Sequence, residues 1–140
     1  MREILFRGKN EYGVWVYGMY IPYQNGEAAI LYEKFSAHGY EATELCQRSK
    51  VIPETVGQFT GITDRNGNKI FEGDILSFAD VLGFVNYNYG CYCVKTNKPD
   101  WHSRTNPAID IIMCEYEEKV QVIGNVHDNP ELISGDGNAN

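Results

Sequence analysis

The sequence has no apolar run approaching the roughly 20 residues that a membrane-crossing helix needs, and Met1-Arg2-Glu3-Ile4-Leu5-Phe6-Arg7 lacks the apolar core of a signal peptide. These absences argue against a membrane protein and lead to the expectation of a cytoplasmic one. Cations are also scarce: 12 Lys and Arg stand against 19 Asp and Glu, a net charge of −7. Such a surface repels phosphate at long range, which disfavours nucleic acid as the main partner. Arg2, Arg7 and Lys9 lie close together near the start, but three cations at a hairpin end read as solvated surface.

Chemistry-bearing motifs are missing too. There is no Gly-x-Gly-x-x-Gly, no phosphate-loop signature and no Gly-x-Ser-x-Gly elbow. Cys46, Cys91, Cys93 and Cys114 with His38, His102 and His127 show neither the Cys-x2–4-Cys nor the His-x3–5-His spacing of zinc sites. In a chain without an export signal the cysteines read as free thiols. Cys91 and Cys93, two apart on a predicted strand, share a face but sit too far along it to pair easily. Residues 64–68 imitate a calcium loop, yet glycine is fourth and lysine sixth where the EF-hand needs glycine sixth; a type I′ or bulged turn explains them better. Glu72-Gly73-Asp74 places two carboxylates on one side of a strand. Gly73 as a sharp bend with Asp74 capping it is favoured over an acid–base pair. A small hydrolase built on Glu72, Asp74 and His127 is the least favoured reading. No catalytic residue, metal or cofactor is expected.

What is present is β-patterned and aromatic. The 140 residues are 43% apolar and 13% aromatic, enough for one cooperative core. Residues 2–7 and 13–21 alternate around a Gly8 to Gly13 break, and Asn25-Gly26 supplies the positive φ angles of a type I′ turn before a strand at 28–35. Residues 41–48 suit a short helix or an irregular excursion equally. Further strands are predicted at 55–62, 69–71, 74–79, 83–89, 91–96, 109–116 and 119–126, and residues 128–132 suit one helical turn with Pro130 first. The fold expected is mainly β with little helix: an antiparallel meander over residues 1–53 and a small SH3-like barrel over 54–133, in one domain spanning 1–134, followed by a flexible tail at 135–140.

Three pieces of the chain carry a family resemblance. Arg2-Glu3-Ile4-Leu5-Phe6-Arg7-Gly8 with Trp15-Val16-Tyr17-Gly18 opens it. Thr55-Val56-Gly57-Gln58-Phe59-Thr60-Gly61 leads to Asn66-Gly67 and Lys69-Ile70-Phe71-Glu72-Gly73-Asp74-Ile75, and Val122-Ile123-Gly124-Asn125-Val126-His127-Asp128-Asn129-Pro130-Glu131-Leu132 closes it. The chain resembles the YopX family of phage and prophage proteins, departing from it at 24–52 and 96–107. The resemblance implies a phage accessory protein in a bacterial host cell and an expectation of homo-oligomers. It carries no assigned activity and no catalytic residues.

With no catalytic grouping, binding is the expected work, with a phage or host protein or a second copy as partner. Tyr87, Tyr89, Tyr92 and Trp101 gather around one predicted strand pair and loop. They are the candidate binding residues, although core and cross-strand pairing is the favoured explanation of such rings. Trp15, Tyr17 and Tyr20 are a candidate self-association strip. The alternative is a nucleic-acid binder using Arg2, Arg7, Lys9, Lys95, Lys98 and Arg104 on phosphates and tyrosines under bases.

Overall fold

A computed structural model describes residues 2–33, 46–98 and 106–133, with Cys46 described in its backbone alone. The chain forms two compact units, Met1–Phe59 and Thr60–Asn140. Their boundary falls inside a strand rather than at Pro53.

In the first unit β1 (Phe6–Lys9), β2 (Trp15–Pro22), β3 (Ala28–Glu33) and β4 (Cys46–Val51) form an antiparallel meander, and β5 (Gly57–Thr63) begins beside β1. Strand β4 occupies part of the stretch read as helix or irregular; residues 36–45 lie outside the described ones. β2 serves two neighbours. Its first half pairs with β1 through Phe6 opposite Gly18, and its second half pairs with β3 from Met19 opposite Leu31. At the changeover a Cβ on Gly18 would overlap the Leu31 carbonyl oxygen, so only glycine permits this close approach of β3. The inner face buries Ala28, Ile30 and Val51, with Phe6, Val16, Tyr20 and Val56 packed against them.

The 3-10 turn Pro53–Thr55 joins β4 to β5. The Ile52 N–H donates to the Lys9 carbonyl at 2.8 Å. Buried Thr55 accepts from the Lys9 N–H at 2.8 Å and donates to the Ile52 carbonyl at 2.6 Å. Thr55→Val keeps the shape and leaves the Lys9 N–H without that partner. It should cost about 1–3 kcal/mol in urea denaturation.

The second unit contains the end of β5, then β6 (Lys69–Phe71), β7 (Asp74–Phe78), β8 (Val81–Asn88), β9 (Cys91–Thr96), α1 (Ile109–Tyr116) and β10 (Gln121–Asn125). β6 lies next to β5, where Thr60 Oγ1 donates to the Ile70 carbonyl at 2.8 Å. The other four strands make an antiparallel sheet in the order β10-β7-β8-β9. Its core is Ile70, Leu76, Phe78, Val81, Val85, Val94, Ile109, Ile112 and Val120.

The mainly β expectation holds, but the barrel does not form: among the described residues the sheets are open, β9 and β10 being edges of the four-stranded one. The reason lies in residues 109–116, which are helix and not the predicted strand. Ile109, Ile112, Met113 and Tyr116 recur at the i, i+3, i+4, i+7 spacing of a helix face, and all four join the core cluster. Covering the sheet with this helix buries its apolar face without closing the strands on themselves. The helical turn at 131–133 follows Pro130 as expected.

Turn chemistry sorts by loop length. Asn10, Tyr23 and Asp64 each close a three-residue loop that ends in a left-handed glycine, Gly13 (φ 79°), Gly26 (φ 91°) or Gly67 (φ 82°). Asn25 keeps a negative φ, so the second hairpin is a bulged turn and not the predicted type I′. True two-residue turns occur at Ala79-Asp80 (φ 47° and 64°) and Tyr89-Gly90 (φ 51° and 78°). The first has no glycine to relieve left-handed strain. Asp80→Gly should raise stability by about 0.5–1 kcal/mol, visible as a higher urea midpoint.

Candidate functional site

The tip of the β8–β9 hairpin is the exposed aromatic feature that the sequence pointed to. Val85 opposite Val94 and Tyr87 opposite Tyr92 are successive pairs on one face. The valines are buried in the core, so the same face runs outward into the tyrosines. The Tyr87 and Tyr92 rings meet edge to face with centroids 5.1 Å apart, a favourable quadrupole geometry. Tyr87 is 57% exposed and Tyr89, at the turn itself, 97% exposed. Tyr89 holds φ 51°, a left-handed conformation that costs a non-glycine residue roughly 1–2 kcal/mol. Trp101 lies outside the described residues. The structure thus brings together Tyr87 and Tyr92, with Tyr89 beside them in the turn.

The N-terminal strip is divided. Trp15 and Tyr17 share the outer face of β2 with Met19, whereas Tyr20 points inward against Phe6, ring centroids 5.5 Å apart. Alternation explains this, since residue 20 has the opposite parity to 15 and 17. Arg7 and Lys9 stand opposite Tyr17 and Trp15. The Arg7 guanidinium lies 4.7 Å from the Trp15 ring centre and the Lys9 ammonium 5.8 Å. Arg7 is buried, so it is not presented to a phosphate. Of the proposed phosphate contacts, Lys95 and Lys98 are exposed and Arg104 lies outside the described residues. They belong to residues 60–140, which hold six Lys and Arg against twelve Asp and Glu. This charge balance weakens the nucleic-acid alternative.

The remaining polar candidates are structural. Asp64 is 6% exposed and receives four hydrogen bonds. Its Oδ1 accepts from the Asn66 and Asn68 N–H groups, each at 2.9 Å. Its Oδ2 accepts from Asn68 Nδ2 at 3.2 Å and from the Val122 N–H on β10 at 2.9 Å. Burial pushes its pKa up, but the bonds from Val122, Asn68 and Asn66 together outweigh burial and leave it below the usual value. An open depression of about 310 Å³ adjoins it, lined by Thr63, Asp64, Arg65, Glu117 and Glu118.

Asp74 is 2% exposed and its Oδ2 accepts the Phe71 N–H at 2.7 Å. Gly73 between the two carboxylates takes φ 89°. The bend-and-cap reading of residues 72–74 therefore describes the geometry. His127 does come alongside: a Cβ on Gly73 would lie 3.6 Å from its Nε2. Among the described residues no group of three or more His, Cys, Asp or Glu is placed to hold a metal.

The last family piece also proves to be hydrogen-bonding architecture. Asn125 Oδ1 accepts from the N–H groups of His127 and Asp128 at 3.0 and 2.9 Å, and its Nδ2 donates to Asp128 Oδ2 at 3.1 Å. Asn129 Oδ1 accepts the Asn125 N–H, and a Cβ on Gly124 would strike that same side chain. Sequence reasoning named Tyr89 but not its left-handed backbone, although Tyr-Gly between two strands is a two-residue loop signal. Cys91 and Cys93, read as too far along the strand to pair easily, are free thiols whose sulfurs nevertheless lie 3.5 Å apart.

No helix among the described residues is long and apolar enough to cross a membrane. No curated protein matches the chain. The family model described as YopX protein matches residues 5–134, nearly the whole length, and the chain therefore belongs to the YopX family.

Proposed function

We propose that this chain is a non-enzymatic phage or prophage accessory protein that works by binding another protein, or a second copy of itself, through the tip of the β8–β9 hairpin. The observation that carries this reading is Tyr89. A large ring stands almost wholly in water on a backbone conformation that glycine would hold at less cost. Folding alone does not call for it there, and a tip of rigid aromatic side chains suits protein recognition, in which Tyr is enriched. Tyr87 and Tyr92 extend the same apolar surface. The two buried carboxylates, Asp64 and Asp74, are engaged by backbone N–H groups, which supports binding over catalysis.

Tyr89→Gly separates folding from function. It should stabilise the protein by about 1 kcal/mol in urea denaturation while weakening association at least tenfold. Association is read by light scattering from 1 to 100 μM and by capture from lysogenic host cells, with Tyr87→Ser as a second variant. If the wild type stays monomeric throughout that range and both variants capture the same proteins in the same yield, the tip is not the binding surface.

A further inference from the structure

Cys91 and Cys93 lie on the face of β9 opposite Tyr92 and play no part in the binding surface above. Residues two apart along a regular strand are separated by roughly 6.6 Å, yet here the two sulfurs approach to 3.5 Å. Cys91 directly follows the Tyr89-Gly90 turn, and both sulfurs converge on the Asn88 carbonyl oxygen, at 3.5 Å from Cys91 and 3.9 Å from Cys93. Cys91 is exposed and Cys93 is 6% exposed, so the pair is open at one sulfur and sheltered at the other. The backbone beneath is tied down: Asn86 Nδ2 donates to the Cys93 carbonyl at 3.4 Å and to Asn106 Oδ1 at 3.0 Å.

Such a pair can do two things, and each moves the sulfurs. A disulfide needs the sulfurs at roughly 2.05 Å, a closure of about 1.5 Å against a strand that sets their spacing. A soft metal ion held linearly by two thiolates, with bonds of about 2.3 Å, spans sulfurs roughly 4.6 Å apart, an opening of about 1.1 Å. Small side-chain rotations reach that separation. Among the described residues no group of three or more Cys, His, Asp or Glu forms a larger ligand set, and an ion content with two thiolates suits the pair. The Asp110 carboxylate adds a negative field at Cys93, favourable to a cation.

We propose that Cys91 and Cys93 form a two-thiolate site for a monovalent soft metal ion, Cu(I) or its relative Ag(I). Burial first, then the neighbouring Cys91 and Asp110, push the Cys93 thiol up to about 11.

The test is an anaerobic Cu(I) titration of the full chain against a chromogenic Cu(I) chelator, in a Cys46→Ser/Cys114→Ser background that leaves this pair as the sole thiols. One ion per chain is expected, with affinity lowered about a hundredfold or more by either Cys91→Ser or Cys93→Ser. Circular dichroism of the same samples confirms that the variants fold. Equal affinity in folded serine variants, half an ion per chain, or Zn(II) bound as tightly as Cu(I) would each overturn the site. So would a background protein that, given oxidised glutathione as oxidant in the presence of Cu(I), closes to an intramolecular disulfide, two mass units lighter, in preference to holding the metal.

Discussion

Gly18→Ala is expected to lower stability by at least about 3 kcal/mol, a fall of roughly 10 °C in the thermal midpoint for a chain of this size. The added methyl group has no free direction, because it meets the Leu31 carbonyl oxygen and carbon and the Ile30 Cγ2 together. The first two are backbone atoms and cannot rotate away. Relief requires β2 to move off β3, which breaks the pairing of Met19 with Leu31 and Tyr20 with Ile30 and opens the face that buries Ile30. Gly26→Ala is the matched control. That residue also resists substitution through its φ of 91°, but open space surrounds it, so the cost is the left-handed strain of roughly 1–2 kcal/mol. Melting followed by circular dichroism compares the two. A Gly18→Ala protein that melts within 2 °C of the wild type, on the scale of ordinary surface changes, would contradict the close approach of Leu31 to Gly18 described above.

Asp64→Ala is expected to cost about 2–4 kcal/mol, because it removes one acceptor that serves three backbone N–H groups and a side-chain amide. Three of those donors lie in its own turn, but the Val122 N–H lies 58 residues away on β10. The Arg65 N–H adds a backbone bond to the Val120 carbonyl at 3.0 Å. The turn therefore also fastens the edge of the four-stranded sheet. Asp64→Asn should restore little, since its amide N–H₂ would face donors where the carboxylate offered a second acceptor.

The pH dependence follows from the same contacts. The folded pKa lies below the unfolded value, so the native state favours the ionised form. The stabilisation is complete above the unfolded pKa, near 4, and is lost as pH falls from there through the lower folded value. Urea midpoints between pH 7 and pH 2 should show a steeper acid loss for the wild type than for Asp64→Ala. Parallel curves would mean that Asp64 is not held as described.

Much of the architecture was legible from local rules. The strands at 69–71, 74–78 and 91–96 match the period-two reading closely, because alternation and glycine punctuation are short-range signals. The family pieces were legible as well, and the structure gives their physical meaning. Gly73, Asp74, Gly124, Asn125 and Asn129 are bends and the acceptors that satisfy them. Residues 109–116 were misread because Ile-Asp-Ile-Ile-Met-Cys-Glu-Tyr begins with an apolar-polar-apolar alternation. The helical spacing of 109, 112, 113 and 116 prevails only once there is a sheet face for Ile109 and Ile112 to cover.

The candidate site was half legible. Tyr87 and Tyr92 on neighbouring strands could be foreseen as a pair, but the left-handed backbone of Tyr89 and the meeting of Cys91 with Cys93 depend on turn geometry. A difference of one residue in loop length decides that geometry. Tyr20 was misassigned for a simpler reason, since counting parity along β2 already turns it inward.

By itself the sequence determined that this is an acidic, β-rich chain whose glycines and side-chain amides make corners, since composition, alternation and turn preference act within a few residues. Tertiary structure alone decided that the second sheet stays open under a helix, that β3 closes against Gly18, and that two thiols on one strand come together. Each of those outcomes depends on what a segment meets across the fold, and contacts between residues far apart in the chain leave no periodic trace in its order.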